Sequence, residues 1–132
     1  GVDDIDRQSA RLDVAALIYP VITLAAPYDH TSTRRSLVGR HPADEATRQW
    51  SVESHVSKDC PPVFLTQADD DRISDPANSR IMREACEKAG VDVEFHPIVS
   101  GGHGFGMGKA GTPTEKWPSW YEAWLRRQNF LA

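Results

Sequence analysis

The chain has 132 residues, 39% of them hydrophobic and 26% charged, with a net charge of −4. That composition excludes disordered, collagen-like and coiled-coil classes and leads us to expect one domain with a real core, burying roughly two-thirds of its unfolded surface. The charge gives no electrostatic footprint for nucleic acid or an anionic membrane. The longest apolar stretch, Val14 to Ala26, is broken by Tyr19, Pro20 and Thr23 and falls short of the ~20 residues that cross a bilayer.

In chain order, Gly1 to Asp13 is polar, without hydrophobic period, and reads as a loop. Val14 to Ile22 is a short apolar run, rich in β-branched residues and stopped by proline, the pattern of a strand buried on both faces. Residues 26–57 form a polar, lid-like excursion with one possible short helix, around Asp44 to Gln49; excursions of that length are usually functional. Pro61 to Gln67 reads as a second buried strand, its two prolines tolerated only at the start. The Asp69-Asp70-Asp71 loop follows. Asp75-Pro76 has the form of a helix start, and Ile81, Met82, Ala85, Cys86 and Ala89 then fall on one helical face. Gly90 stands where that helix should be capped. Val91 to Val99 alternates in part, as an edge strand does. A glycine-rich loop, Gly101 to Gly108, precedes a last helix opening at Trp117-Pro118.

Strand, helix and strand in succession make a βαβ unit with parallel strands and a right-handed crossover, so the fold class is α/β. The first strand has central-strand character and so implies another strand beside it, because an apolar unpaired edge is a liability. Cys60 and Cys86 make no metal-type spacing and read as buried, reduced thiols. The opening Gly1-Val2-Asp3-Asp4 is not a signal peptide; the expectation is a cytoplasmic chain whose true N-terminus lies further upstream.

In a parallel sheet, functional groups gather on loops leaving the carboxyl ends of strands. Here those loops offer Asp71 and, 32 residues later, His103. Neighbouring parallel strands lie about 4.8 Å apart, which lets a carboxylate and an imidazole on such loops meet. An aspartate orienting a histidine is two-thirds of a nucleophilic triad. The order nucleophile, acid, histidine would put a serine upstream in a Gly-x-Ser-x-Gly turn, and no such pentapeptide occurs in the chain.

Leu17 to Ile22, Ser51-Val52-Glu53, Pro61-Pro62-Val63-Phe64-Leu65, Ala68-Asp69-Asp70-Asp71, Asn78-Ser79 and Gly101-Gly102-His103-Gly104-Phe105-Gly106 together resemble the C-terminal half of an α/β-hydrolase esterase. The resemblance is to small acetylesterases that act on acetylated sugars and xylan fragments, and it runs from about Val14 to Leu131. It implies three mainly parallel strands with flanking helices. Asp71 falls at the family's acid, with Asp70 in reserve, and His103 at its general base. It implies a small ester substrate, no metal and no cofactor, and a nucleophile elbow before residue 1, in an N-terminal half or on a partner chain. Gly1 would then fall just beyond the helix that follows the elbow. Gln67 departs from the histidine common there, a change expected not to affect the chemistry.

Other patterns lead elsewhere or nowhere. Asp69-x-Asp71 starts like a calcium loop but lacks the glycine and distal glutamate. Gly106 to Gly111 matches the dinucleotide fingerprint but opens no helix. Leu24-Ala25-Ala26-Pro27 is not the phosphate loop that a flavodoxin-like binding domain needs. His30, Arg34, Arg35 and His41 read as a solvated loop before they read as a pocket, and the tryptophans of the last helix as core or cover. The rival to an esterase is a non-catalytic or truncated fragment that associates with a partner through its open sheet edge.

Overall fold

The computed structural model describes residues 3–132, so the expectations for Gly1 and Val2 lie outside the described residues. Residues 3–13 carry turns and bends without helix or strand, as their polar sequence implies. Three strands, β1 (Ala15–Ile18), β2 (Val63–Ala68) and β3 (Val93–Ile98), make one parallel sheet in the order β1-β2-β3. The helices are α1 (Ser32–Val38), α2 (Asp44–Trp50), α3 (Ala77–Ala89) and α4 (Trp117–Arg127), with single 3-10 turns at Val52–His55 and Pro113–Lys116.

Central strand β2 is buried at all six positions, and its side chains alternate between two cores. Val63 and Leu65 pack with Met82, Cys86 and Val91, while Phe64 and Ala68 pack with Ile98, Phe105, Trp117 and Trp124 on the opposite face. The period-2 pleat of the strand produces that division. Gly90 caps α3 in the left-handed conformation (φ 74°), and its N–H bonds back to the carbonyls of Cys86 and Glu87. Just before the other end, Asp75 Oδ1 accepts from the Ala77 amide at 2.8 Å. Both cysteines are free thiols; burial, with Cys60 and Glu87 nearby, pushes the Cys86 thiol up to about 11.

Two expectations need correction. The first strand is four residues long and only half-buried, not a doubly buried strand from Val14 to Ile22. Tyr19 turns the chain with φ 44°, and its amide still bonds the Thr66 carbonyl at 2.8 Å, which ends the ladder. The following Ile22, Thr23 and Leu24 are buried all the same, and side chains satisfy their amides. Asn78 Oδ1 accepts from the Ile22 and Thr23 amides at 2.8 and 3.0 Å, and Ser51 Oγ from that of Leu24 at 3.0 Å. The excursion holds more structure than one short helix, because Thr31 caps α1 through the Arg34 amide and a 3-10 turn follows α2. A 3-10 turn also precedes α4.

Candidate active site

The three aspartates after β2 have three different fates. Asp69 is half-exposed and 3.9 Å from the Arg80 guanidinium. Asp70 Oδ1 accepts from the Gly101 and Gly102 amides, both at 2.8 Å. Those bonds, that of Gly102 foremost, hold the Asp70 carboxyl below the usual aspartate range. Asp71 turns inward, its side chain fully buried.

Its carboxylate takes four donors. Oδ1 accepts from the Ile73 and Ser74 amides at 2.9 and 3.0 Å. Oδ2 accepts from Gln67 Nε2 at 3.1 Å and lies 2.9 Å from His103 Nδ1. An ionised carboxylate can only accept, so with Asp71 ionised the proton of neutral His103 sits on Nδ1 and a lone pair is left on Nε2. The His103 side chain is 30% exposed. Asp71 and His103 are thus in contact, and Asp70 touches the histidine's loop but not its ring.

That loop is held at several points. Gly102 and Gly104, on either side of His103, have φ of 63° and 72°, a region open to glycine at little cost. Trp117 Nε1 donates to the Gly106 carbonyl at 2.9 Å, which ties the loop to α4. The Tyr19 ring lies 4.7 Å from the His103 ring and meets Phe105 edge-on at 4.8 Å. Ile73 and Met107, on the two loops, are exposed.

Sequence reasoning missed Tyr19, which it placed inside a strand, and the part played by Gln67. The signal for Gln67 was a polar residue at the end of an apolar buried run, where an amide needs partners. This position is in direct contact with the acid, while its expected neutrality to the chemistry is untouched by that contact. The tryptophans are cover and core: Trp117 and Trp124 are buried, and Trp120 stacks on His96 at 4.8 Å. Of the excursion's polar residues, Arg34 bonds the Gly39 and Arg40 carbonyls, and Arg35 that of His30. Among the described residues no group of three or more His, Cys, Asp or Glu is gathered as a metal would need. No described helix is long and apolar enough to cross a membrane.

No protein-family model matches the chain. Among solved structures, an acetyl ester-xyloside bifunctional hydrolase from Caldicellulosiruptor lactoaceticus superposes with a TM-score of 0.92 and 31% identity, over 100% of this chain and 48% of that one. A carboxylesterase from Lactobacillus plantarum follows at 0.76 and 27%, over 97% and 49%. An endo-1,4-beta-xylanase B of Butyrivibrio fibrisolvens is 32% identical over 96 residues, which are 73% of this chain and 15% of that protein. The chain therefore spans about half the length of these solved structures. With its parallel strands, flanking helices and superposition on these enzymes, the chain has the architecture of the C-terminal part of an α/β-hydrolase fold.

Proposed function

We propose that this chain supplies the acid and the base of a serine-type carboxylic-ester hydrolase that deacetylates small carbohydrate esters. The observation that carries the reading is the 2.9 Å contact between the buried Asp71 carboxylate and His103 Nδ1. In the complete enzyme, His103 Nε2 takes the proton of a serine hydroxyl as that oxygen attacks the acyl carbon. It then returns the proton to the leaving alcohol. Asp71 holds the tautomer and stabilises the imidazolium that forms between the two steps. The serine comes from a segment that carries a Gly-x-Ser-x-Gly elbow, in an N-terminal half or on a partner chain, and residues 26–57 serve as the lid-like excursion of a single α/β domain. The acetyl-carbohydrate specificity draws its support from the printed descriptions of the xyloside hydrolase and the xylanase.

The test is turnover of p-nitrophenyl acetate by the chain alone and by the chain mixed with the N-terminal half of a matched esterase. Residual activity is expected alone, and a large gain on mixing. His103→Ala should abolish that gain, and Asp71→Asn should cut it by about 10⁴-fold, since an amide stabilises the wrong tautomer. Strong turnover by the chain alone, abolished by His103→Ala, would overturn the assignment of the nucleophile to another segment. A well-formed complex without turnover would overturn the catalytic reading.

One observation favours the rival, a fragment that works by association. β1 pairs only with β2 among the described residues, so the apolar run Ala15–Ile18 presents an open edge of the kind that recruits another strand. Sedimentation tests this edge, because a well-behaved monomer at high concentration argues against an edge that seeks a partner and against an incomplete sheet.

A further inference from the structure

Gln67 sits at the end of β2 beneath the acid and is 1% exposed. Its Nε2 donates to the Ser74 carbonyl at 2.7 Å and to Asp71 Oδ2 at 3.1 Å, while its Oε1 accepts from Ser79 Oγ at 2.6 Å. The orientation of the amide has no freedom. The Ser74 carbonyl can only accept, so the nitrogen must face it, and the Ser79 hydroxyl is then the donor to Oε1. Ser79 itself is fully buried in the first turn of α3. A rigid helix thus fixes the amide, and the amide directs one N–H at the same carboxylate oxygen that His103 uses.

From this geometry we infer that Gln67 is a positioning residue for the Asp71–His103 pair, a reading that rests on the esterase assignment above. The Ile73 and Ser74 amides hold only Oδ1, so on their own they let the carboxylate rock about that anchor. The Gln67 donor fixes the plane and sets where Oδ2 meets Nδ1. Because a primary amide does not titrate, that support keeps the same strength across the working pH range. A titratable side chain at this position makes the alignment of the acid depend on its own protonation.

The experiment is NMR of the isotope-labelled 132-residue chain, following the His103 Nδ1 proton and the ring ¹⁵N shifts that report the tautomer. In the unsubstituted chain the Nδ1 proton should exchange slowly, and Asp71→Asn should remove its signal. Gln67→Leu, of similar volume without the donor, should broaden the signal or lose it while the amide spectrum stays dispersed. Gln67→Glu keeps the shape and the Ser79 contact but sets two carboxylates about 3 Å apart, and such a pair shares a proton. The glutamic acid has one proton where the amide has two, so in donating to Asp71 it gives up the Ser74 bond; the signal should be present at lower pH and vanish as pH rises and the proton leaves. The titratable groups around the pair, Tyr19 against the His103 ring and Asp70 on the loop amides, are unchanged in every variant. If Gln67→Leu fails to fold, the pH dependence of Gln67→Glu carries the test. A His103 signal of unchanged position and width in the folded Gln67 variants, with no new pH dependence, would overturn the inference. A chain in which Asp71→Asn leaves the His103 signal untouched would instead overturn the pairing on which it rests.

Discussion

Replacing Asn78 by alanine tests how the segment after β1 is held. The side chain is fully buried, and its Oδ1 is the acceptor for both the Ile22 and the Thr23 amides, at 2.8 and 3.0 Å. Truncation strands two buried donors, each costing about 1–3 kcal/mol. A water entering the vacated volume restores part of this, which places the expected loss near 3 kcal/mol, in the lower half of the summed range of about 2–6. Against a domain stability of roughly 5–15 kcal/mol that is a large fraction. Asn78→Asp is the control. The comparison is made at acid pH: the protonated carboxyl keeps the acceptor for both amides and its hydroxyl can replace the Nδ2 donor to the Asp75 carbonyl at 3.0 Å, whereas the ionised form would set a buried charge against that carbonyl, so the protonated variant should cost at least ~1 kcal/mol less than the alanine variant. Urea unfolding followed by circular dichroism measures both, with the slope expected to stay constant. An alanine variant less than about 1 kcal/mol below the parent, or an aspartate variant as damaged as the alanine one, would refute the claim that side-chain acceptors replace the strand here.

Two further predictions concern the histidine loop. The Asp70 carboxyl is held below its ordinary range, chiefly by the Gly102 amide and also by that of Gly101. A depressed folded-state value means that its contribution is complete above the ordinary aspartate value of about 3.9 and is lost only as pH falls through the lower folded value. Hydrogen exchange should therefore find the Gly101 and Gly102 amides protected down to that acid limit, and unprotected at every pH in Asp70→Ala; equal protection in the variant would sink the idea. Trp117→Phe removes the 2.9 Å bond to the Gly106 carbonyl and should cost about 1 kcal/mol. It should also speed amide exchange across residues 104–108, and unchanged exchange there would mean that α4 does not restrain the loop.

What was legible in the sequence is what depends on period and on local geometry. The apolar run into β2, the helical face of α3 with its glycine cap, and the alternation in β3 each follow from short-range patterns. The contact of Asp71 with His103 follows from two adjacent parallel strands and the loops that leave them. The end of β1 was not legible. Val21 and Ile22 continue the apolar run, but Tyr19 takes a positive φ and Asn78, 56 residues away, supplies the acceptor that a strand neighbour would have offered. Gln67 was read for its side-chain type without its partners, and those partners come from a loop and a helix that lie later in the chain. The three aspartates are identical as residues and differ only in what each turns toward, so the separate tasks of Asp70 and Asp71 emerge only once the 101–108 loop is in place.

The histidine loop has an implication for when the site comes into being. Asp70 grips it where it leaves β3, Trp117 grips it past the imidazole, and Tyr19 backs the ring. None of those restraints involves a nucleophile or a substrate, so the ordering entropy of the loop is met when this chain folds. On the proposed reading, a serine supplied by another segment has to bring its Oγ to the Nε2 of a histidine whose loop is already held. On that reading assembly waits for no slow remodelling of this loop, and its rate should follow encounter of the two pieces.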